Sequence, residues 1–267
     1  MKTSCNYTAY TVSCEAKRLL LVTDIHSCHI KWHELENGER MTLLCKALNE
    51  EHKKQPYDAI LSLGDYSLDF WGWNNGGSYL KDPPVSNTEE FVKKYVSQMP
   101  TNFYIIPGNH EQYGNETWRK IVGTPREYVV VYGDYVFVML DTFAGNLDPK
   151  EHHDGVYTGV NTSLLSAVIK DYPDKKIILC AHDISLPSES EKLREMILEH
   201  KQIICAFVGH THKDNTLILP DSWRHLPVFY CGDFSYSGKD GGAKNWGYRV
   251  LDLSNAAIST EYVKAKD

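Results

Sequence analysis

The chain has 267 residues, of which 42% are hydrophobic and 24% charged, as expected for a globular protein with one sizeable domain. Lys and Arg number 28 against 35 Asp and Glu, which gives a net charge of -7, and the lack of a basic run argues against stable nucleic-acid binding. The seven cysteines include no Cys-x-x-Cys pair, and no apolar run approaches the roughly 20 residues of a membrane span, so we expect reduced thiols in a cytoplasmic protein without a membrane segment.

The first half of the chain alternates short apolar runs with longer amphipathic segments. Short apolar runs that end at polar residues predict buried strands, and apolar residues at helical spacing predict helices. The predicted strands are Lys17–Thr23, Asp58–Leu63 and Asn102–Ile106, and the predicted helices are Gly38–Gln55, Asn87–Met99 and Asn115–Gly123. Asn87 and Glu90 have the spacing of a capping pair. Met1–Ala16 fits either a short edge strand or a loose arm.

The second half is richer in strands. A Gly133-Asp134 turn between two β-rich runs predicts a hairpin over 127–140. Further strands are predicted at Lys176–Ala181, Ile203–Val208, Thr216–Leu219, Pro227–Cys231, Tyr248–Leu253 and Ile258–Val263, and helices at Thr162–Tyr172 and Ser188–His200, the latter with a Ser188/Glu191 capping box. Alternating strands and helices favour parallel pairing, and a run of strands favours antiparallel pairing. We therefore predict one α/β domain over 1–267, with two packed mixed β-sheets between helices.

Two long segments have no clear period, at about 66–86 and 144–161. Loops of this length inside a compact domain are usually functional or disordered, and the aromatic residues of the first argue against disorder. Trp71, Trp73 and Tyr79 fit either a wall of a substrate pocket or a satellite apolar cluster. His152 and His153 in the second loop fit either a substrate contact or a solvated loop. The sequence leaves these alternatives open.

Side chains that can bind metal follow five of the predicted strands. The five stretches read Asp24-Ile25-His26, Gly64-Asp65, Gly108-Asn109-His110-Glu111, Ala181-His182-Asp183 and Gly209-His210-Thr211-His212. Ligands of open α/β sheets collect at the carboxyl ends of strands, so we expect these stretches to meet. Together they offer seven candidate ligands, namely Asp24, His26, Asp65, Asn109, His182, His210 and His212.

Seven ligands are too many for a single tetrahedral zinc ion. They suit two metal ions about 3.5–4 Å apart that share a carboxylate. Oxygen and imidazole donors without thiolates favour manganese, iron, zinc or nickel over calcium or copper(I). The sequence therefore predicts a site for two divalent ions, with Mn²⁺ as the first choice and Fe, Zn or Ni as alternatives.

The ordered motifs resemble those of the calcineurin-like metallophosphoesterases. All blocks of the family signature, D-x-H, G-D, G-N-H-[D/E], H and G-H-x-H, occur in order between Asp24 and His212. The resemblance implies a four-layer αββα sandwich. It also implies one metal held by Asp24, His26 and His212, a second held by Asn109, His182 and His210, and a bridging Asp65. His110 would face the substrate as the catalytic residue. Beside it, Glu111 fits either a hydrogen bond that orients His110, which we favour, or a helix or turn charge.

The chain departs from the family pattern after the bridging aspartate. Many members place an Asp three residues later, where this chain has Leu68, and Asp69 lies one residue further on. A position in that region supplies a tyrosine ligand in purple acid phosphatases. Tyr66 has a different offset, so we expect no coloured tyrosinate–iron site.

The resemblance implies hydrolysis of phosphate esters, with a small phosphate ester as the substrate. We favour a small-molecule or nucleotide phosphodiesterase, because the aromatic loop could stack a base. A phosphomonoesterase, including a protein phosphatase, is the alternative within the class. A non-catalytic scaffold or a metal-bound sensor on the same fold are the alternatives outside it. Nothing in the sequence indicates the oligomeric state.

Overall fold

The computed structural model describes residues 7–29, 35–69, 86–145, 147, 151–152, 154–235, 246–255 and 258–265. In these ranges the strands are β1 (Ala9–Val12), β2 (Arg18–Val22), β3 (Ala59–Leu63), β4 (Asn102–Ile106), β5 (Tyr128–Tyr132), β6 (Tyr135–Met139), β7 (Lys176–Cys180), β8 (Ile203–Val208), β9 (Thr216–Ile218), β10 (Pro227–Tyr230), β11 (Gly247–Asp252) and β12 (Ser259–Lys264). The α-helices are α1 (Asn37–Lys54), α2 (Asn87–Glu90), α3 (Asn115–Val122), α4 (Thr162–Asp171) and α5 (Glu191–Glu199).

The strands form two mixed sheets. The seven-stranded sheet has the order β1-β5-β6-β7-β8-β10-β9, and the five-stranded sheet has the order β12-β11-β2-β3-β4. β2, β3 and β4 are parallel, as are β6, β7 and β8. The β5–β6 hairpin and the β11–β12 pair are antiparallel. Mixed pairing is thus confirmed, and β1 is an edge strand rather than a loose arm.

The two sheets pack face to face because their central strands are apolar on both sides. Every residue of β2 and β3 is buried. Successive side chains of a strand point to opposite faces, so Leu19 and Leu21 lie between the sheets with Phe137 and Phe207. Leu20 and the other outward residues of the five-stranded sheet lie in a separate cluster. Strands buried on both faces read as continuous apolar runs, which is the pattern that identified them.

Helices cover both outer faces. Leu165 of α4 and Leu193 of α5 pack on the seven-stranded sheet. Met41 and Leu44 of α1 pack on the five-stranded sheet together with Trp118 of α3. The four layers are therefore helices, sheet, sheet and helices, which confirms the predicted αββα sandwich.

Two helix starts differ from the prediction. Ser86 rather than Asn87 caps α2, because its side chain accepts a hydrogen bond from the amide of Glu89. Ser190 rather than Ser188 caps α5, since residues 186–188 form a 3₁₀ turn. The predicted helix Asn87–Met99 is also not uniform: α2 continues into a π-helical turn over Phe91–Tyr95 and a 3₁₀ turn over Val96–Gln98.

The predicted long loops are described only in part. Trp71, Trp73, Tyr79 and His153 lie outside the described residues. The second loop is closed at its base by a β-bridge between Phe143 and Tyr157. None of the helices in the described ranges has the length and hydropathy needed to cross a membrane.

Candidate metal centre

The five motif stretches meet where the carboxyl ends of two sheets adjoin. β2, β3 and β4 of the five-stranded sheet lead into the first three stretches, and β7 and β8 of the seven-stranded sheet lead into the last two. Backbone hydrogen bonds tie the stretches to one another. The amide of Asp24 donates to the carbonyl of Gly64 at 3.1 Å, and that of Gly209 donates to the carbonyl of His182 at 2.9 Å.

The structure brings all seven predicted ligands together. Three overlapping groups of side chains can each hold a metal ion, and they are Asp24, His26 and His212; His26, Asp65 and His110; and Asp65, His182 and His210. Nε2 of His212 lies 3.1 Å from Oδ1 of Asp24, and Nε2 of His182 lies 3.1 Å from Oδ2 of Asp65. Oδ1 of Asn109 lies 3.0 Å from the nearest ring nitrogens of His182 and His210. His110 also lies close, with Nε2 3.6 Å from Oδ2 of Asp65.

Burial and charge fit these residues to divalent cations. Asp24 and Asp65 are almost fully buried, and within the described part of the chain their ion pairs are all with imidazoles. Buried carboxylates need a compensating charge, which a metal ion supplies. Nδ1 of His182 donates to the carbonyl of Leu63 at 2.7 Å, which leaves Nε2 of the neutral ring free to coordinate.

Backbone conformation gives a second sign of function. Five candidate ligands have positive φ angles of 49° to 64°, and they are Asp24, His26, Asp65, His210 and His212. Non-glycine residues rarely adopt this conformation, and strain of this kind collects at functional sites. Close packing adds a constraint, because a Cβ atom at Gly108 would overlap Asp65 and one at Gly209 would overlap Thr23. The turns are thus held by their surroundings.

The imidazoles and carboxylates shift one another's pKa values in the metal-free protein. Burial raises the pKa of Asp65, but the imidazoles of His110 and His182 hold it well below its ordinary value. Burial lowers the pKa of His182, yet the carboxylates of Asp65 and Asp24 raise it to about 10. For His26 burial dominates and lowers the pKa to about 4. In the metal-free protein the carboxylates are thus ionised and paired with protonated imidazole, and a bound cation would take the place of the proton.

Glu111 has a different contact from the predicted one. Its carboxylate accepts hydrogen bonds from the backbone amides of Asp65 (2.9 Å), Ser67 (3.0 Å) and Gly108 (2.8 Å). It therefore joins the turns after β3 and β4, and its effect on His110 runs through the backbone rather than through the predicted hydrogen bond. A buried carboxylate surrounded by backbone donors is well placed to fix such turns.

The side chains of Asp69 and Tyr66, which follow the predicted bridging aspartate, make their contacts around α2. Asp69 accepts hydrogen bonds from the backbone amides of Asn87 (2.6 Å) and Thr88 (3.2 Å) at the start of α2. The ring of Tyr66 packs beside Phe91 in the outer apolar cluster. Both side chains thus support the structure around α2.

Sequence reasoning missed three polar residues around the centre. Oγ1 of Thr23 donates to Oδ2 of Asp24 at 2.7 Å. Arg40 of α1 is fully buried and donates to the carbonyl of His26 at 2.7 Å. Asp233 is buried, and burial raises its pKa to about 7. In the sequence, the signal for Arg40 was that a charged residue interrupts the apolar face of an amphipathic helix.

Comparison with known proteins gives a family and a fold. The sequence model of the calcineurin-like phosphoesterases matches residues 17–214. The fold is similar to that of GAP50, described as the anchor in the inner membrane complex of Plasmodium, with a TM-score of 0.53, 18% identity, and coverage of 93% of this chain and 84% of that chain. No curated protein sequence matches the chain.

Two further similar structures are enzymes by name. Purple acid phosphatase PPD1 from yellow lupin has a TM-score of 0.53 and 15% identity, covering 93% of this chain and 51% of that one. The 5'-nucleotidase from Candida albicans has a TM-score of 0.54 and 12% identity, covering 98% and 53%. This chain spans about half their length, and at such identities the likeness shows the fold alone. The family match covers most of the chain, including every motif stretch, so the chain belongs to the calcineurin-like phosphoesterase family.

Proposed function

We propose that the protein is a dinuclear metal-dependent phosphodiesterase that acts on small molecules or nucleotides. The observation that carries the proposal is the meeting of all seven ligand side chains with His110 at one corner of the two sheets. Family membership supports phosphate-ester chemistry. Cleavage of diesters by this chain is the part that needs testing.

Each residue has a proposed role. When bound, the two divalent ions supply Lewis-acid activation of water and of the phosphoryl oxygens. Asp65 belongs to one group with His26 and His110 and to another with His182 and His210, which supports a role in bridging the two ions. We assign to His110, whose backbone amide lies 3.0 Å from Oδ1 of Asp65, the tasks of stabilising charge on the phosphoryl group and of protonating the leaving oxygen.

The buried position of Arg40 favours a diester over a monoester. A phosphomonoester is a dianion and profits from additional accessible cations. The guanidinium of Arg40 is fully buried and donates to backbone carbonyls, so it cannot meet a substrate. One observation favours the phosphomonoesterase alternative, which is that Lys264 and His212 line the same cavity of about 100 Å³.

Metal content and a paired assay test the proposal. The protein is purified, its metals are counted by mass spectrometry, and it is then assayed with Mn²⁺ on bis-p-nitrophenyl phosphate and p-nitrophenyl phosphate. About two ions per chain with diester turnover is the expected result. Turnover of the monoester alone would replace the phosphodiesterase with a phosphatase. Less than one ion per chain after loading would contradict the site itself.

Replacement of His110 separates catalysis from metal binding. His110→Ala should lower kcat for the diester at least about 100-fold, because charge on the phosphoryl group is no longer stabilised, while the metal content stays the same. His225→Ala, with a side chain 65% exposed, is the matched control and should behave as wild type. Equal rates in both variants would remove His110 from the mechanism.

Two non-enzymatic roles give different results in the same experiments. An anchor, the description that GAP50 carries, or a nucleotide sensor would bind metal without turnover of either ester. The complete ligand set argues against a pure scaffold, which has no need of strained, buried metal ligands. Tight nucleotide binding with no product would favour the sensor.

A further inference from the structure

A polar cavity borders the metal centre on the side of the second loop. The ring of Phe143 has its centroid 5.8 Å from the ring centroids of both His182 and His210. The same residue lines a cavity of about 590 Å³ between α3, β5 and the start of α4. Phe143 thus contacts both this cavity and two of the candidate ligands. Its volume lies in the range of small-molecule sites.

The cavity continues away from the metals. A second cavity of about 650 Å³ shares Arg119, Pro125, Glu127 and Asn161 with the first. The two therefore form one groove, which we call the α3 groove. A substrate cleaved at the metal centre could extend past Phe143 into it.

The carboxylates that line the α3 groove already accept hydrogen bonds from other groups of the protein. Glu127 accepts from the amide of Asp141 at 3.3 Å and from Nδ2 of Asn161 at 2.7 Å. Asp141 accepts from Nε of Arg126 at 2.5 Å and from the amide of Phe143 at 3.2 Å. These acceptors are satisfied within the protein. A ligand must therefore be recognised mainly by the groups that remain.

The remaining groups are donors and cations. Arg119 is exposed, and its guanidinium makes no hydrogen bond or ion pair within the described residues. Arg126 is 6% exposed and donates to the carbonyls of Glu111 and Tyr113, but its Nη2 is buried without a hydrogen-bond partner in that part of the chain. A buried unsatisfied guanidinium nitrogen is costly, so it favours an anionic acceptor beside it.

The start of α3 adds to this preference. Gly114 and Asn115 line the same cavity, and Gly114 is the N-cap of the helix. Glycine has no side chain to cap the first amide groups of the helix, and the N-terminal end of a helix favours negative charge. The start of α3, Arg119 and Arg126 therefore all favour an anionic ligand.

We propose that the α3 groove is a second subsite that binds a phosphate group on the substrate while another phosphate ester is cleaved at the metal centre. The substrate class is a phosphodiester that carries a second phosphate, such as a nucleotide phosphorylated at two positions. This inference rests on the proposed function, which it makes more specific. Arg119 is the specificity residue that meets the second phosphate.

A substrate pair tests the subsite. The p-nitrophenyl ester of thymidine 5'-phosphate is compared with the same ester bearing a 3'-phosphate, at fixed Mn²⁺ and ionic strength. Wild type should have the lower KM for the 3'-phosphorylated ester. Arg119→Glu should raise that KM about tenfold or more and leave the KM of the other ester within about twofold.

Lys120→Glu is the matched control, because Lys120 is the next residue of α3, is exposed and lines neither cavity. It carries the same change of charge and should change neither KM. If both variants raise the KM equally, the effect is long-range electrostatics and the subsite is wrong. It is equally wrong if wild type does not distinguish the esters.

Failure of the proposed function gives a separate signature. If bis-p-nitrophenyl phosphate and both thymidine esters remain uncleaved, the proposed hydrolysis fails, and calorimetry with thymidine 3',5'-bisphosphate decides the subsite. Binding by wild type and Lys120→Glu that is lost in Arg119→Glu would support the groove. Equal binding by all three proteins, or no binding by wild type, would overturn it.

Discussion

Arg40 carries a positive charge into the interior behind the first ligand loop. It donates to the carbonyls of Ile25, His26 and Phe234, and to the side chain of Asn37. Burial lowers its pKa to about 10, so it remains charged at neutral pH. One side chain thus holds the loop after β2 against the loop after β10.

Replacement of Arg40 should therefore weaken both the fold and the metal centre. In Arg40→Met the carbonyls of Ile25, His26 and Phe234 lose their donor, so we expect the free energy of unfolding in EDTA to fall by about 3 kcal/mol. Mn²⁺ affinity, measured by calorimetry, should fall as well. Arg194→Met is the control, because Arg194 pairs only with the neighbouring surface residue Glu191 within the described structure. Equal stability and affinity in the two variants would contradict this role.

The sequence shows that Arg40 interrupts the apolar face of α1, but it does not show what Arg40 contacts. Its partners are mainly backbone carbonyls of segments far apart in the chain, and a carbonyl carries no residue-specific signal. The ligands were predictable for the opposite reason. Asp24, Asp65 and His210 each follow an apolar run directly, so their positions at strand ends follow from local pattern alone.

At the scale of elements, the strands were predicted better than the helix starts. A strand buried on both faces is a nearly continuous apolar run, as in β2, β3 and β8. A helix start depends on which of several nearby serines turns its hydroxyl towards a free amide. At α5 the sequence offers both Ser188 and Ser190, and tertiary contacts select the second. Local spacing cannot make that choice.

Helix α1 is fixed to its sheet by a buried ion pair. Oε1 of Glu51 lies 2.5 Å from Nη2 of Arg18 in β2, and Oε2 accepts from the hydroxyl of Tyr248 in β11 at 3.1 Å. Both charged side chains are almost fully buried. Although burial alone raises the pKa of Glu51, the hydrogen bonds from Arg18 and Tyr248 lower it. The ionised carboxylate is thus the form that the fold stabilises.

Glu51→Gln should lower stability in a pH-dependent way. A lowered folded pKa contributes stability above the unfolded value of about 4.3, and this contribution is lost as the pH falls through the folded pKa. At pH 7 the variant should therefore lose about 3 kcal/mol, since Arg18 loses the carboxylate of its ion pair and keeps the carbonyl of Gln55, and the deficit should narrow below about pH 4. Urea unfolding in EDTA measures both values.

The control for Glu51 is the neighbouring residue of the same helix. Glu50 is 62% exposed and lies 3.9 Å from Lys46 on the helix surface. Glu50→Gln removes the same charge and should change stability by less than about 0.5 kcal/mol. A deficit for Glu51→Gln that stays constant from pH 7 to pH 3.5 would contradict the stabilising role of its ionised form.

At the scale of the whole molecule, the metal centre joins two sheets whose facing side chains are mainly apolar. Three ligand loops come from one sheet and two from the other. Ions that bind this arrangement stabilise it, because the unfolded chain cannot present the ligands together. At about 100 times the dissociation constant, one site contributes about 2.7 kcal/mol.

Thermal unfolding should show this coupling. We expect Tm in excess Mn²⁺ to exceed Tm in EDTA by about 10–20 °C when both sites are occupied, since two sites contribute about 5 kcal/mol and each kcal/mol moves Tm by about 2–4 °C in a chain of this size. Asp65→Asn should lose most of the shift. Asp221→Asn, whose side chain is 97% exposed, should keep it. Calorimetry gives all the values, and a shift that survives in Asp65→Asn would separate metal binding from this centre.

The strand order of the five-stranded sheet has a consequence for synthesis on the ribosome. β2 lies between β3, its next strand in the chain, and β11, which is translated after most of the chain has been made. At about 5–20 residues per second, one edge of β2, with its backbone N–H and C=O groups unpaired, stays uncovered for tens of seconds. The nascent chain therefore exposes an unpaired, aggregation-prone strand edge early. Chaperones that bind such edges should raise the yield of the protein.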